Sequence, residues 1–242
     1  MKEHLMYGLK KNVLSKMIKY LPGKILLKKE YEHQKYIGIN ERVIEYEFVF
    51  KQLKKYYPKT VLDIGTGTTA LPHLIRNCGF LVTAIDNIRD YWSDGMKNRH
   101  YHVIDDDITK TQVKSKFDLI LCISVLEHIK DSTGAVKNML SLLNSGGHLV
   151  LTCPYTENEY CKNVYELEGS DAFQKDLDFV CQSYSRANIN EWFPIPEFQI
   201  IEQEYWELWE GNFWSTGKEV FPPILSNRED RHQLTCLVIK KN

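Results

Sequence analysis

A glycine turn near residue 65 is the feature whose residue types and spacing point most directly to chemistry. Gly65 and Gly67 follow the short apolar run Thr60–Ile64, and a helix-length segment begins directly after them. The first glycine permits a tight turn, and the second lets the backbone approach a ligand that a side chain would block. A turn of this form between a strand and a helix is typical of sites for adenosine-containing cofactors, NAD among them.

Two aspartates stand beside this turn and narrow the kind of ligand it would hold. Asp86 ends the second strand-like run, about twenty residues after the glycines, where a carboxylate can accept hydrogen bonds from both hydroxyls of a ribose. Asp63 precedes Gly65 at the carboxyl end of the first strand. A carboxylate at that point suits a cationic ligand group and would repel a pyrophosphate. Since doubly wound sheets bind ligands outside the carboxyl ends of their strands, we predict a functional role for both aspartates.

The elements that must position these residues alternate between strands and helices. Strand-like runs fall at 60–64, 80–85, 100–104, 117–123 and 148–153, with helix-length segments at 69–77 and 132–144 between them. A further helix is predicted over 40–56, and Leu234–Ile239 predicts a last, antiparallel strand. This alternation predicts an α/β fold with a doubly wound, mostly parallel, Rossmann-like sheet.

The chain is divided by this pattern into four regions. Residues 1–58 are expected to form N-terminal helices that act as a cap, and 59–153 the cofactor-binding core. Between 154 and 233 the alternation stops, and this segment contains four of the five tryptophans. We predict that it is an aromatic-rich insertion covering the substrate, and that 234–242 is the last core strand.

Four stretches of the core resemble the class I S-adenosylmethionine-dependent methyltransferases. In chain order, Val61–Thr68 is similar to the first motif of that family and Thr83–Asp86 to its second strand. Phe117–His128 is similar to its fourth strand with the Glu-His turn of one large subgroup, and Ser145–Thr152 to its fifth strand. One departure is Thr69, where many members carry glycine. The resemblance implies methyl transfer, with S-adenosylmethionine as cofactor and S-adenosylhomocysteine as product.

The resemblance also implies roles for individual residues. The methionine end of the cofactor would be held by Asp63, Gly65 and Gly67, and the ribose by Asp86. Asn87 would also bind the cofactor, and Asp107 with Ile108 would lie at the adenine. Ser124 would lie beside the sulfonium, and Arg42, on the preceding helix, at the cofactor carboxylate.

His128 is the candidate for a catalytic base, because it lies just past the fourth strand. A hydroxyl acceptor benefits from a base that removes its proton, and an imidazole near its ordinary pKa suits that role. The alternative is a histidine that caps the following turn and shapes the pocket. Glu127 is a candidate for orienting His128 or for binding the acceptor.

The acceptor is expected to lie against the aromatic segment. Tyr155, Tyr184 and Trp214 are candidates for its pocket, since aromatic faces stack on sugar rings and planar ligands. The alternative is that these rings fill the space between a late strand and the rest of the sheet.

Charge and motif patterns argue against several other classes. The net charge is −1, which gives no global basic field, so we expect no nucleic-acid partner. Ser124–Glu127 also stands where methyltransferases of base amino groups resemble one another in an Asp/Asn-Pro-Pro-aromatic turn. The six cysteines show neither a Cys-x-x-Cys pair nor zinc spacing, so we interpret them as reduced core residues and expect no metal.

The N-terminal segment has a composition of its own. Residues 1–29 contain eight lysines against Glu3, and Leu5, Leu9, Val13 and Met17 recur at helical spacing. This pattern predicts an amphipathic helix that packs on the main domain or on the partner in a homodimer. The alternative is an anchor on an anionic membrane surface. No run of 18 apolar residues is present, and we expect a cytoplasmic protein.

The acceptor itself is the least determined part of the prediction. We expect methyl transfer to an oxygen of a small hydroxylated metabolite or of a saccharide or glycan precursor. The alternatives are a lipid, isoprenoid or protein acceptor, an NAD-dependent oxidoreductase that uses the same glycine turn, and a non-catalytic methyltransferase-like binding subunit.

Overall fold

Helices and strands alternate along the described part of the chain, which in this computed structural model comprises residues 40–92, 95–173 and 179–242. In chain order the elements are α1 (Arg42–Tyr56), β1 (Thr60–Ile64), α2 (Leu71–Asn77), β2 (Leu81–Asp86), α3 (Ile88–Tyr91), β3 (Ile104–Asp105), β4 (Phe117–Ile123), α4 (Ser132–Leu142), β5 (Leu143–Pro154), α5 (Arg186–Trp192), β6 (Phe198–Trp209), β7 (Glu219–Ser226) and β8 (Leu234–Lys241). The helix predicted within residues 1–29 lies outside the described residues.

The strands of the described residues form one sheet in the order β3-β2-β1-β4-β5-β8-β6-β7. The first five of these are parallel, whereas β8 is antiparallel to both β5 and β6, and β7 is antiparallel to β6. Since β1 is central and the chain winds outward first to β2 and β3 and then to β4 and β5, a topological switch point lies between β1 and β4. The predicted Rossmann-like fold class with a final antiparallel strand is confirmed.

Each face of the sheet carries its own core. Phe48 of α1 and Ile75 of α2 pack on one face, while Met139 of α4 and Ile189 of α5 pack on the other. All four side chains are fully buried, and each such burial contributes about 1.5–3 kcal/mol. Helix α1 is therefore packed firmly against the sheet, and its first turn lies beside the carboxyl end of β4.

The third predicted strand is much shorter than expected. The pattern predicted 100–104, but β3 contains only Ile104 and Asp105. Asn98 Oδ1 accepts hydrogen bonds from the backbone N–H groups of His100 and Tyr101, at 2.8 and 2.9 Å, which holds this stretch in a turn.

The aromatic segment contributes more regular structure than predicted. It contains α5, β6 and β7, three elements that the sequence pattern did not predict. Glutamates within β6 obscured the strand pattern in the sequence. In the structure Glu202 and Glu204 form ion pairs with Lys51 and Lys55 of α1, at 2.7 to 3.0 Å.

All six cysteines are reduced, as predicted. The expectation that they are core residues holds for four of them but not for Cys78, which is exposed, or Cys161, which is half-buried. No helix among the described residues is long and apolar enough to cross a membrane.

Candidate functional site

The glycine turn lies at the carboxyl end of β1, at the topological switch point. Gly65 and Gly67 have φ values of 69° and 55°, in the left-handed region that favours glycine. Gly65 is further constrained because a Cβ there would collide with the side chain of Val125. Its backbone N–H donates to the Ile85 carbonyl at 2.9 Å, which ties the turn to β2.

Asp86 anchors this turn from the end of β2. Its Oδ2 accepts the backbone N–H of Gly67 at 2.7 Å, and its Oδ1 accepts the indole N–H of Trp92 at 3.2 Å. Burial raises the pKa of this carboxyl, while these hydrogen bonds oppose the rise. The Trp92 ring also lies 3.6 Å from the point that a Cβ on Gly67 would occupy. The indole thus borders two groups predicted to meet the cofactor, Asp86 at the ribose and Gly67 at the methionine end.

Asp63 is a buried acid whose pKa lies near neutrality. Its side chain is packed at the end of β1, where Thr66 Oγ1 donates to Oδ2 at 2.8 Å. Burial raises the pKa of Asp63 to about 7, with the Thr66 hydrogen bond and the Arg42 charge opposing the rise. A cationic ligand group beside Asp63 would therefore favour loss of its proton.

Asn87, Asp107 and Ile108, which are also predicted to bind the cofactor, have local structural roles. Asn87 caps α3, accepting from the Asp90 backbone N–H at 3.4 Å, and Asp107 Oδ1 accepts from the backbone N–H and hydroxyl of Thr109 at 2.9 and 2.8 Å. The Ile108 side chain is buried in the core. Contact of these residues with the cofactor remains a prediction.

Ser124 follows β4 in an unusual backbone conformation. Its φ of 48° lies in the left-handed region, although it is not a glycine. Its hydroxyl donates to Glu45 Oε1, and its backbone N–H donates to Thr152 Oγ1 at 3.0 Å. Thr152 Oγ1 in turn donates to the same Glu45 oxygen at 2.6 Å. The carboxylate of Glu45 thereby joins the carboxyl ends of β4 and β5.

Arg42 reaches the same point from the start of α1. Its Nη1 donates to Glu45 Oε2 at 2.8 Å and to the Ile123 carbonyl at 3.2 Å. The Arg42 side chain is 33% exposed, whereas that of Glu45 is fully buried. A guanidinium held in this way at the end of β4 is suited to binding a ligand carboxylate.

His128 ends a short 3₁₀ helix, Leu126–His128, that follows β4. Its Nδ1 lies 2.7 Å from the Val180 carbonyl. A carbonyl only accepts, so Nδ1 carries the hydrogen and the Nε2 of the neutral ring is an acceptor. Burial lowers the pKa of His128, which favours this neutral form. Its Nε2 lies 3.8 Å from Glu127 Oε1, too far for a hydrogen bond in this geometry.

A tyrosine links the segment after β2 to the segment after β4 at the carboxyl end of the sheet. The hydroxyl of Tyr91, in α3, donates to the His128 carbonyl at 3.1 Å. Because β1 lies between β2 and β4, this bond crosses over the carboxyl end of β1. The ring of Phe179 packs edge-on against His128 with a centroid distance of 5.1 Å. Tyr91 thus holds the backbone of the candidate base, and Phe179 packs against its ring.

The structure differs from the prediction for the acceptor pocket. Tyr155 and Tyr184 are fully buried, and their hydroxyls donate at 2.7 Å to Glu157 and to the Leu126 carbonyl. These rings fill the core, so they are not on an accessible acceptor surface. Trp214 is half-buried and packs against Trp209.

Three residues of this edge were missed by sequence reasoning: Glu45, Tyr91 and Trp92. Glu45 has a weak sequence signal, since it follows Arg42 by one helical turn and such pairs interact. Nothing in the pattern distinguishes Tyr91 or Trp92 from other aromatic residues in a loop.

These side chains fit an adenosine cofactor that ends in an amino acid. Asp86 offers a carboxylate for ribose hydroxyls, and the glycine turn offers a close backbone approach. Asp63 and Arg42 offer opposite charges for an ammonium and a carboxylate. In the three described ranges, no group of three or more His, Cys, Asp or Glu side chains is arranged to hold a metal ion.

Comparison with known proteins gives matches in both sequence and structure. Over 98 residues the chain is 31% identical to the ubiquinone biosynthesis O-methyltransferase of Coxiella burnetii, a match that covers 38% of this chain and 42% of that protein. The match thus spans about two fifths of that relative's length.

Two solved structures show the same fold at low identity. The 1,6-didemethyltoxoflavin-N1-methyltransferase of Burkholderia thailandensis aligns with a TM-score of 0.55 and 12% identity, over 94% of this chain and 89% of that one. The magnesium protoporphyrin IX methyltransferase of Synechocystis PCC 6803 aligns with a TM-score of 0.52 and 13% identity, over 89% of this chain and 94% of that one.

The family match covers more than half of the chain. A model described as a methyltransferase domain matches residues 37–203, which include α1, the glycine turn, β4 and His128. The chain therefore belongs to the methyltransferase-domain family, and the S-adenosylmethionine-dependent methyltransferase predicted from its motifs is confirmed.

Proposed function

We propose that the chain transfers the methyl group of S-adenosylmethionine to an oxygen of a small hydroxylated acceptor. The observation that carries the choice of oxygen is the geometry of His128. Its Nδ1 is committed to the Val180 carbonyl, so its Nε2 can accept a proton. An acceptor hydroxyl must lose its proton during methylation, and a base at this point serves that need.

The chain's own residues have separate tasks in this reaction. S-adenosylmethionine, when bound, supplies a methyl group that is already activated. Asp86 binds and orients the ribose of the cofactor, while Asp63, the glycine turn and Arg42 bind its methionine end. His128 takes the acceptor proton at Nε2, and Phe179 packs edge-on against its ring.

The burial of His128 matters for this role. The lowered pKa keeps the imidazole neutral at neutral pH, so the base is in its active form without prior deprotonation. The same lowering makes it a weaker base, which suits an acceptor hydroxyl that is itself somewhat acidic.

The acceptor class has two candidates. A saccharide or other small polyhydroxylated metabolite follows from the sequence, although the burial of Tyr155 and Tyr184 removes two of the rings proposed to stack on it. A phenolic, isoprenoid-type acceptor is favoured by the relative that acts in ubiquinone biosynthesis. Both are acceptors that present a hydroxyl.

The test is methyl transfer from S-adenosylmethionine labelled in its methyl group to a panel of acceptors. The panel contains a catechol, a nucleotide sugar and a primary amine, and mass spectrometry locates the label. We expect label on oxygen, with kcat at least tenfold lower in His128→Gln and unchanged affinity for S-adenosylhomocysteine. Label on nitrogen alone, or full activity of His128→Gln, would contradict the proposal.

A further inference from the structure

Glu45 stands out among the buried charged groups because its carboxylate contacts three elements at once. It lies in α1, is fully buried, and accepts from the hydroxyls of Ser124 and Thr152 through Oε1. Its Oε2 accepts from Arg42 Nη1 at 2.8 Å. A buried carboxylate is costly unless it is paired and hydrogen-bonded, and Glu45 meets both conditions.

Two of the partners of Glu45 are predicted to meet the methionine part of the cofactor, Arg42 at its carboxylate and Ser124 beside its sulfonium. Ser124 is held with φ at 48°, a left-handed conformation that a non-glycine residue keeps only where its surroundings impose it. Arg42 is held so that its guanidinium lies at the end of β4, beside the Ile123 carbonyl. One carboxylate therefore fixes both the backbone conformation and the cation at this point.

Glu45 also balances charge at this end of the site. Without Arg42 between them, the Glu45 carboxylate would repel the carboxylate of a bound cofactor. Loss of the Glu45 charge would leave Arg42 without one of its hydrogen-bond partners and change where its guanidinium lies. The effect would fall on the amino-acid end of the cofactor and not on its adenosine.

We propose that Glu45 is a positioning residue that holds Arg42 and Ser124 for the amino-acid end of S-adenosylmethionine. This inference rests on the proposed function, since it concerns the same cofactor site. Glu45 acts through its two partners and does not itself touch the cofactor.

The test compares two ligands that differ only at that end of the molecule. S-adenosylhomocysteine carries the amino-acid group, whereas 5′-methylthioadenosine keeps the thioadenosine and lacks that group. In Glu45→Gln the amide oxygen can still accept from the two hydroxyls, but the ion pair with Arg42 is lost. We expect Glu45→Gln to weaken S-adenosylhomocysteine binding at least tenfold and 5′-methylthioadenosine binding less than twofold, by calorimetry.

Matched variants separate positioning from stability. Val49→Ala truncates another fully buried side chain of α1, an apolar one that can make no hydrogen bond to these groups, so it should lower the melting temperature without changing either affinity. Arg42→Gln should show the same ligand selectivity as Glu45→Gln. Equal weakening of both ligands by Glu45→Gln, or no weakening of either, would overturn the inference. If the unmodified protein binds neither ligand, the proposed function fails instead.

Discussion

Removal of the Asp86 carboxylate tests directly whether the end of β2 binds the ribose of the cofactor. It accepts from the Gly67 backbone and from the Trp92 indole, and it is predicted to accept from both ribose hydroxyls. Two hydrogen bonds to a charged group at about 1.5 kcal/mol each give a loss of about 3 kcal/mol. Since 1.4 kcal/mol corresponds to tenfold, Asp86→Ala should weaken S-adenosylhomocysteine binding about 100-fold.

The assay is calorimetric titration of each variant with S-adenosylhomocysteine, with the fold checked by circular dichroism. Asp105→Ala is the matched control, because Asp105 lies opposite Asp86 in the β2–β3 register but pairs with Arg89 and the Ile88 backbone. We expect Asp105→Ala to change the affinity less than threefold. An affinity of Asp86→Ala within threefold of the unmodified protein would refute the assignment of Asp86 to the ribose.

Trp92 provides a second arm of the same experiment. Its indole N–H already donates to Asp86 Oδ1, so a ribose hydroxyl must share or replace that bond. Trp92→Phe keeps an aromatic ring but removes this competing donor. It should therefore bind S-adenosylhomocysteine at least as tightly as the unmodified protein. Weakening by tenfold would mean instead that the indole N–H contributes to cofactor binding.

Two further predictions concern the same edge. Burial raises the pKa of Asp63 from 3.8 to about 7, so below pH 7 the folded, ligand-free protein favours the protonated carboxyl. The contribution of Asp63 to the free energy of unfolding therefore falls as the pH rises from about 4 to 7. Because a cationic ligand group favours the ionised carboxylate, cofactor affinity should fall as the pH drops below about 7. Calorimetry in buffers of different ionisation enthalpy should show that S-adenosylhomocysteine binding releases a proton near neutral pH. Asp63→Asn should abolish this proton release, and release that persists in the variant would contradict the assignment of the proton to Asp63. Gly65→Ala should lower the free energy of unfolding more than Gly146→Ala, because both have positive φ but only Gly65 would collide with a neighbour. Equal losses in urea denaturation would disprove the role of the Val125 contact.

The parts of the fold predicted from sequence are those whose signal is local. The strands at 60–64 and 117–123 are buried apolar runs beside turn residues, and the structure has both with the predicted bounds. The glycine turn needs positive φ at two positions, and the presence of glycine at both positions in the sequence predicts it. Asp86 follows from its distance along the chain, since the spacing places it at the end of β2.

The parts that were missed depend on contacts between distant segments. The pairing of Glu202 and Glu204 with α1 lysines allows an acidic run to form β6, and no local pattern shows it. Glu45 is similar, because its partners Ser124 and Thr152 lie far away in sequence and are adjacent only in the sheet. Tyr155 and Tyr184 look like pocket residues by type, but the structure buries both, and their hydroxyls donate to Glu157 and to the Leu126 carbonyl.

The most direct test of the central claim is titration of the purified protein with S-adenosylhomocysteine, with NADH titrated in parallel. The glycine turn alone is compatible with either cofactor, whereas Asp63, Arg42 and Asp86 together favour a cofactor with an amino-acid end and no pyrophosphate. We predict one-to-one binding of S-adenosylhomocysteine in the micromolar range and no measurable binding of NADH. Binding of NADH, or failure to bind S-adenosylhomocysteine, would contradict the account.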